Sequence, residues 1–361
     1  MASYDLSDVT SHFLGNIEIQ TQPILEGHIH SGWYVYTQHP QYPETVLQKI
    51  NNQVFLDPLR VTQNIEQVTT YLRAVSPHQR QIQLIKTTSG AVCHLTSDGS
   101  FWRMFVRIPN AYTCQIPESL SQVFAAGRTT GLFLRQAMDY PLDNLYIAIP
   151  DFHNTSKRYQ DFLNALSSAE MNLVQKIQKE ANFFEERADQ FGLFWDALLN
   201  QHIPWRLTHN DTKLDNILFD KNTHQAICLI DLDTLMPGSA LFDFGDAMRS
   251  MCNPAAEDEA DLSRVEFQIP VFRAYTQGYL EAAGDVLTDQ ELSWLAKSPW
   301  MITIENAIRF LTDYLQGNRY YKTRYPHQNL NRCRTHIKLV QDIEKNLGAM
   351  ESIVRGFLPG N

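Results

Sequence analysis

Apolar and polar positions alternate over residues 33–37 and again over 45–50, with a proline-containing stretch between them. A period of two at that length predicts two strands joined by a turn. Over 59–75 the period changes: Val61, Ile65, Val68 and Leu72 recur at helical spacing, which predicts one amphipathic helix. Three more strand-like runs follow at 82–87, 91–96 and 101–108, and Ser89-Gly90 and Asp98-Gly99 mark the turns between them. After Pro109 the texture shifts. Helical patterns begin near residue 117, with a long one over 168–200 (Leu173, Ile177, Phe184, Ala188, Leu193) interrupted by Gly192. Others cover 268–283, 289–315 and 330–356. The expectation is an α+β chain in two parts: 1–108, an antiparallel sheet with one main helix, and 109–361, a larger, mainly helical part.

A strand-rich island interrupts the helical part. Residues 217–219 and 226–230 are short apolar runs, and the polar stretch 220–225 between them reads as a hairpin turn. Antiparallel pairing about that turn sets 217 opposite 230, and so brings Asn216 near Asp231. Asp211 enters the same end on a loop, and Asp233 keeps the strand parity of Asp231. Such a set of oxygen ligands suits magnesium, a hard cation held by one or two carboxylates together with waters and substrate phosphates. It also leaves one carboxylate to accept a proton from an attacking hydroxyl. Phosphoryl transfer asks for this combination, because the protein mostly positions groups and neutralises charge.

Composition narrows the partners. The 361 residues carry 40 acidic and 30 basic side chains, a net charge of −10. That balance argues against nonspecific binding to nucleic acid or to anionic membrane, both polyanions. No stretch approaches the roughly 18 apolar residues of a membrane span, and the start of the chain has no apolar leader. The five cysteines (Cys93, Cys114, Cys228, Cys252, Cys333) are scattered and read as reduced thiols of a cytoplasmic protein.

His209-Asn-Asp-Thr-Lys-Leu-Asp-Asn216 fits H-x-D-x-x-x-x-N, the catalytic-loop pattern of kinases, and Ile230-Asp-Leu-Asp233 resembles the metal element of the aminoglycoside phosphotransferase and choline kinase-like family. The resemblance implies a two-lobe, protein-kinase-like fold. It makes Asp211 the catalytic base and Lys213 a γ-phosphate contact, and it gives the metal to Asn216 and Asp231, with Asp233 for a second metal or a substrate contact. It casts His209 as a brace of the loop. On the ATP side, Val46-Leu-Gln-Lys49 is similar to the V-A-I-K element, which implies Lys49 on the α- and β-phosphates, paired with Glu66 of the helix that follows. Gly27 and Gly32 flank the segment where a phosphate-covering loop belongs. Adenine is expected against the backbone at 105–108, including Phe105 and Arg107. The cofactors implied are ATP and Mg2+.

Four stretches, 46–55, 209–220, 228–249 and, more weakly, 151–159, resemble a narrower group, the bacterial N-acetylhexosamine 1-kinases. That resemblance implies an amino sugar as acceptor. Thr234, Arg249, Arg309 and Tyr320 are the residues expected to face it. Arg249 has a structural alternative in pairing with Asp243 or Asp246, and Arg309 in pairing with Asp313. The same fold also accommodates choline, an amino alcohol, an aminoglycoside or another sugar, and a nucleotide-binding module without activity is the third reading. Asp243-Phe-Gly245 spells a protein-kinase metal motif, but it lies beyond Pro237-Gly238, out of the hairpin's reach. Asp243 is therefore expected to brace the catalytic loop, with Phe242 and Phe244 packed beneath it.

Overall fold

The computed structural model describes residues 5–25, 29–39 and 41–358. Its strands in chain order are β1 (Ile19–Ile24), β2 (Ser31–Thr37), β3 (Thr45–Lys49), β4 (Leu84–Ile85), β5 (His94–Leu95), β6 (Phe101–Val106), β7 (Ala111–Tyr112), β8 (Arg206–Thr208), β9 (Ile217–Asp220), β10 (Ala226–Leu229) and β11 (Met236–Gly238). Helices α1 (Leu6–Leu14) and α2 (Pro58–Val75) lie early in the chain. The later helices are α3 (Leu120–Ala137), α4 (Thr155–Ser168), α5 (Met171–Lys176), α6 (Gln178–Glu185), α7 (Leu193–Leu199), α8 (Ala240–Met251), α9 (Ile269–Ala283), α10 (Asp289–Trp294), α11 (Ser298–Leu315) and α12 (Gln328–Gly356). The fold is α+β. It forms two compact units, the first from residues 1–112, 139–150 and 218–236, the second from 113–138, 151–217 and 237–361.

The first unit is built on an antiparallel sheet of order β1-β2-β3-β6-β4, with β5 also paired to β6. Val35, Leu47, Trp102 and Met104 point to one face, where Val9, Phe13 and Leu14 of α1 cover them. Each such apolar side chain removed from water contributes about 1.5–3 kcal/mol. Strand parity sends Gln48, Arg103 and Phe105 to the opposite face. Helix α2 starts at Pro58, with Asp57 capping the Arg60 amide. Its buried Asn64 donates to the carbonyls of Tyr146 and Leu235 at 2.8 and 3.2 Å, which ties the segment after Asp233 to the helix. The predicted hairpin forms, β9 pairing with β10, but its register differs: the Asp220 N–H donates to the Gln225 carbonyl at 2.9 Å, whereas pairing 217 with 230 would set 220 opposite 227. Asp220 Oδ1 accepts from the amides of Asn222 and Thr223 at 3.0 and 3.1 Å and closes its turn, and β7 extends it to three strands.

In the second unit α3 and α9 touch backbone to backbone. A Cβ on Gly127 would stand 2.2 Å from the Tyr275 carbonyl oxygen, and one on Gly278 2.2 Å from that of Phe124, so neither position admits a side chain. The amphipathic pattern at 168–200 is not one helix. It breaks into α5, α6 and α7. The pattern at 289–315 likewise divides at a 3-10 turn, Leu295–Lys297. Helix α1 and strand β1 have no counterpart in the sequence expectation. No helix among the described residues is long and apolar enough to cross a membrane.

Candidate active site

The catalytic-loop motif follows β8 in the second unit. Asn210 takes a left-handed backbone, φ 64°, and the chain then turns through Asp211 to Asn216. Asn216 is buried, and its Nδ2 donates to both the backbone oxygen and Oδ2 of Asp211 at 2.8 Å. Its amide oxygen makes no bond among the described residues and is the group fitted to ligate a cation. Lys213 Nζ lies 3.3 Å from Asp211 Oδ2. Burial pushes the Asp211 carboxyl up, but Lys213, His209, Arg249 and the Asn216 bond outweigh it and hold the group below the usual carboxylate range. Its neighbour Asp215 goes the other way, raised by burial and by the charges of Asp211 and Asp246.

Asp243 braces this loop from α8. Its Oδ2 accepts from the His209 amide at 3.0 Å and its Oδ1 from the Asn210 amide at 2.7 Å. Its backbone oxygen accepts from Thr212 Oγ1. Phe244 packs edge-on against Phe272, Tyr275 and Tyr279. A Cβ on Gly245 would meet the Ser298 carbonyl at 2.6 Å. All three letters of the Asp-Phe-Gly match are accounted for by packing and loop support. Asp243→Asn should therefore lower stability by about 1–3 kcal/mol, because an amide nitrogen would face a backbone N–H. Urea unfolding checks this; unchanged stability with lost divalent-ion binding would return the metal role to Asp243.

His209 supports the same loop, its Nδ1 accepting from the Asp211 amide at 3.3 Å. The 151–159 stretch supplies a second brace that sequence reading did not single out. His153 Nε2 donates to the Asn210 carbonyl at 3.2 Å, and Nδ1 faces Glu305 Oε1 at 3.0 Å. Thr155 Oγ1 donates to the other Glu305 oxygen at 2.7 Å. Burial pushes Glu305 up, yet His153, Arg309 and Arg158 hold it below its usual range.

Of the two structural alternatives for the acceptor arginines, one holds and one fails. Arg249 does bind Asp246, Nη2 to Oδ1 at 2.6 Å, while its Nη1 lies 3.4 Å from His336 Nε2. Burial, then the Arg249 charge, pushes His336 down to about 4. The second oxygen of Asp246 is buried without a partner. Arg309 does not pair with Asp313. Asp313 instead accepts from the amides of Arg319, Tyr320 and Tyr321 at 2.9, 2.8 and 3.0 Å. That anchorage sets the two tyrosines beside Arg309, whose guanidinium lies 5.2, 6.0 and 5.7 Å from the rings of Phe152, Tyr320 and Tyr321. Burial pushes the Tyr321 hydroxyl up to about 12. Ring contacts Tyr321–Phe310 and Phe310–His336, at 4.6 and 5.2 Å, connect this cluster to Arg249.

The first unit holds Ile230-Asp-Leu-Asp233, the stretch that resembles a metal element. Asp231 takes a left-handed backbone, φ 60° and ψ 54°, which a short polar side chain tolerates. Asp233 is buried, and Arg103 grips it with Nη1–Oδ1 and Nη2–Oδ2 bonds, both 2.6 Å. His30 Nε2 adds a contact to Oδ2 at 3.1 Å. Although burial opposes it, Arg103 and His30 hold this carboxyl far below the usual range. Thr234 is buried in the turn that follows Asp231. Neither His30 nor Arg103 was singled out in the sequence.

Two expectations on the ATP side are corrected, the Lys49–Glu66 pair and the loop position of Gly32. Lys49 and Glu66 do not pair: Glu66 Oε1 binds Lys86 Nζ at 3.1 Å. The reason is parity. Lys49 stands opposite Trp102, on the face that α1 covers, whereas Gln48 faces Arg103 and accepts from its Nε at 2.9 Å. Lys49 acts on Asp98, whose carboxyl is held down first by Thr96 and Ser100 bonds and then by this charge. Gly32 is a strand residue, paired with Ile24 and Gln48, not part of a loop; Gly27 lies outside the described residues. At 105–108 the amides of Val106 and Arg107 donate to the carbonyls of Gln83 and Glu44 at 2.9 and 2.8 Å. Arg107 binds Glu44 Oε2 at 2.6 Å and covers the Tyr34 ring, and Phe105 lies under the Arg103 guanidinium at 5.2 Å.

Residues 21–287 match the model of the phosphotransferase enzyme family, and the chain belongs to that family. Its fold is that of several solved kinases. An aminoglycoside phosphotransferase from Alicyclobacillus acidocaldarius matches with a TM-score of 0.64 at 13% identity, over 99% of this chain and 98% of that one. A microcompartment-associated aminopropanol kinase matches with a TM-score of 0.62 at 14% identity, over 96% and 97%. An amicoumacin kinase in complex with AMP-PNP, Ca2+ and Ami gives 0.57 at 12% identity, over 95% and 94%. By family the protein is a phosphotransferase.

Proposed function

We propose that this phosphotransferase is an ATP- and Mg2+-dependent kinase that transfers the γ-phosphate to the anomeric hydroxyl of an N-acetylhexosamine. Asp211 accepts the hydroxyl's hydrogen bond and orients its attack. Lys213 neutralises charge on the transferred group. Asn216 and Asp231 are the residues fitted to hold the magnesium, which supplies charge neutralisation on the phosphates. The oxygen-only donor chemistry of these two side chains suits that ion.

The observation that carries the acceptor assignment is Arg309, a guanidinium set among Phe152, Tyr320 and Tyr321. Aromatic walls with fixed donors suit a neutral polyol. A quaternary or primary amine beside Arg309 would meet its positive charge instead, which disfavours choline, amino alcohols and aminoglycosides there. Incubation with ATP, Mg2+ and N-acetylglucosamine, N-acetylgalactosamine, galactose, choline or kanamycin should release ADP with one or both amino sugars and far less with the cations. Release dependent on choline or kanamycin, and not on either amino sugar, would overturn the acceptor assignment.

A further inference from the structure

One ligand atom from each of His30, Asp231 and Asp233 lies within 4.8 Å of the others, an arrangement suited at first sight to a divalent ion bound by all three. Proton bookkeeping at each group argues otherwise. His30 Nδ1 accepts from the Asn51 amide at 3.1 Å. That fixes the neutral tautomer with the proton on Nε2, so the nitrogen facing Asp233 is a donor with no lone pair for a metal. Asp233 is satisfied on both oxygens: Oδ1 takes one guanidinium N–H, and Oδ2 takes a second together with the His30 N–H. Its charge is matched by Arg103, which is 1% exposed. A dication placed on Asp233 would sit within a few ångströms of that buried guanidinium, with little water to screen the repulsion.

We infer that Asp233 is not a metal ligand: Arg103 is the resident cation of this position, and the His30–Asp233–Arg103 clamp is a positioning device that holds the turn carrying Asp231. The inference rests on the kinase reading above. The clamp gathers three separate parts of the first unit. His30 precedes β2, Arg103 is on β6 with Gln48 of β3 bonded to its Nε, and Asp233 lies two residues past Asp231. Asp231 is left as the one carboxylate of the turn that serves the metal.

Mn2+ binding to the full chain at saturating ADP, followed by electron paramagnetic resonance and corrected for Mn·ADP in solution, tests this directly. The wild type should bind one Mn2+ per chain. Asp231→Asn should bind none. The double variant Arg103→Met with Asp233→Asn removes both charges, so it avoids stranding a buried ion and keeps an acceptor for His30. It should still bind one Mn2+, about tenfold more weakly, as for loss of an outer-shell support. Two Mn2+ in the wild type falling to one in the double variant would overturn the inference. A wild-type chain that binds neither Mn2+ nor ADP would instead remove the kinase reading itself. If Asp231→Asn fails to fold, as judged by circular dichroism, the wild-type count and the double variant still decide.

Discussion

Asp211→Asn is expected to lower turnover by about 10²–10⁴-fold, the range a positioned general base contributes, while leaving nucleotide affinity unchanged. Asn keeps the size of the side chain and an oxygen for Asn216, whose Nδ2 donates to it at 2.8 Å. What it removes is the negative charge that Lys213, 3.3 Å away, now opposes. That charge is what an attacking hydroxyl would hydrogen-bond to. The direction of the Asp211 shift sharpens the role. Lys213, His209, Arg249 and Asn216 overcome burial and hold the carboxyl below its usual range, so the group is ionised throughout the neutral region but only weakly basic. On the proposed mechanism, a weakly basic Asp211 would orient the hydroxyl and take its proton only as leaving-group bond breaking advances. The sign follows for pH. The acid limb of kcat/KM attributable to Asp211 should lie below about 3.9, the ordinary aspartate value, with a plateau above it. Single-turnover kinetics against pH measures both claims. Near-normal turnover in Asp211→Asn would remove Asp211 as the base.

The parts of this molecule legible in its sequence are those set by local period. Alternation gave β2, β3 and β6, helical spacing gave α2, α9 and α12, and two apolar runs about a polar turn gave the β9–β10 hairpin. The catalytic loop was legible because its residues lie within one short stretch. The brace by Asp243 was legible through a negative argument, since its distance along the chain ruled out the hairpin position. Lys49 shows where such reading fails. Side chains alternate across a strand, so a one-residue error in register moves a residue to the other face of the sheet. A letter match to V-A-I-K fixes the strand but not the face, and here the face toward Asp233 belongs to Gln48 and Arg103. His30, Arg103 and Asp233 are far apart in sequence and meet only through sheet pairing and the turn at 231–235. No local pattern encodes that meeting. The same holds for Asp313, whose spacing from Arg309 suggests a helical ion pair. Three loop amides compete for its carboxylate and win.

Arg103→Met should destabilise the folded chain by about 3–5 kcal/mol, the cost of breaking a buried ion pair from one side. The methionine fills much of the stem's volume, so the loss comes chiefly from Asp233, left buried with only the His30 N–H as partner. Adding Asp233→Asn should restore more than half of that loss, because no charge then remains in the interior and the amide oxygen still accepts from His30. Such non-additivity is the signature of two groups acting as one unit. The pH dependence separates this pair from ordinary surface charge. Asp233 is depressed in the folded state, so its stabilisation is fully present above the unfolded aspartate value of about 3.9 and is lost as pH falls toward the folded value. Because Arg103 and His30 place that folded value far below the usual range, the wild type should keep the contribution of this pair at pH 5, where exposed carboxylates begin to protonate. Urea unfolding of the wild type, Arg103→Met and the double variant at pH 7 and pH 5 measures all three effects. Equal stabilities for the single and double variants would mean that Asp233 gains its stabilisation from its backbone turn and not from the guanidinium.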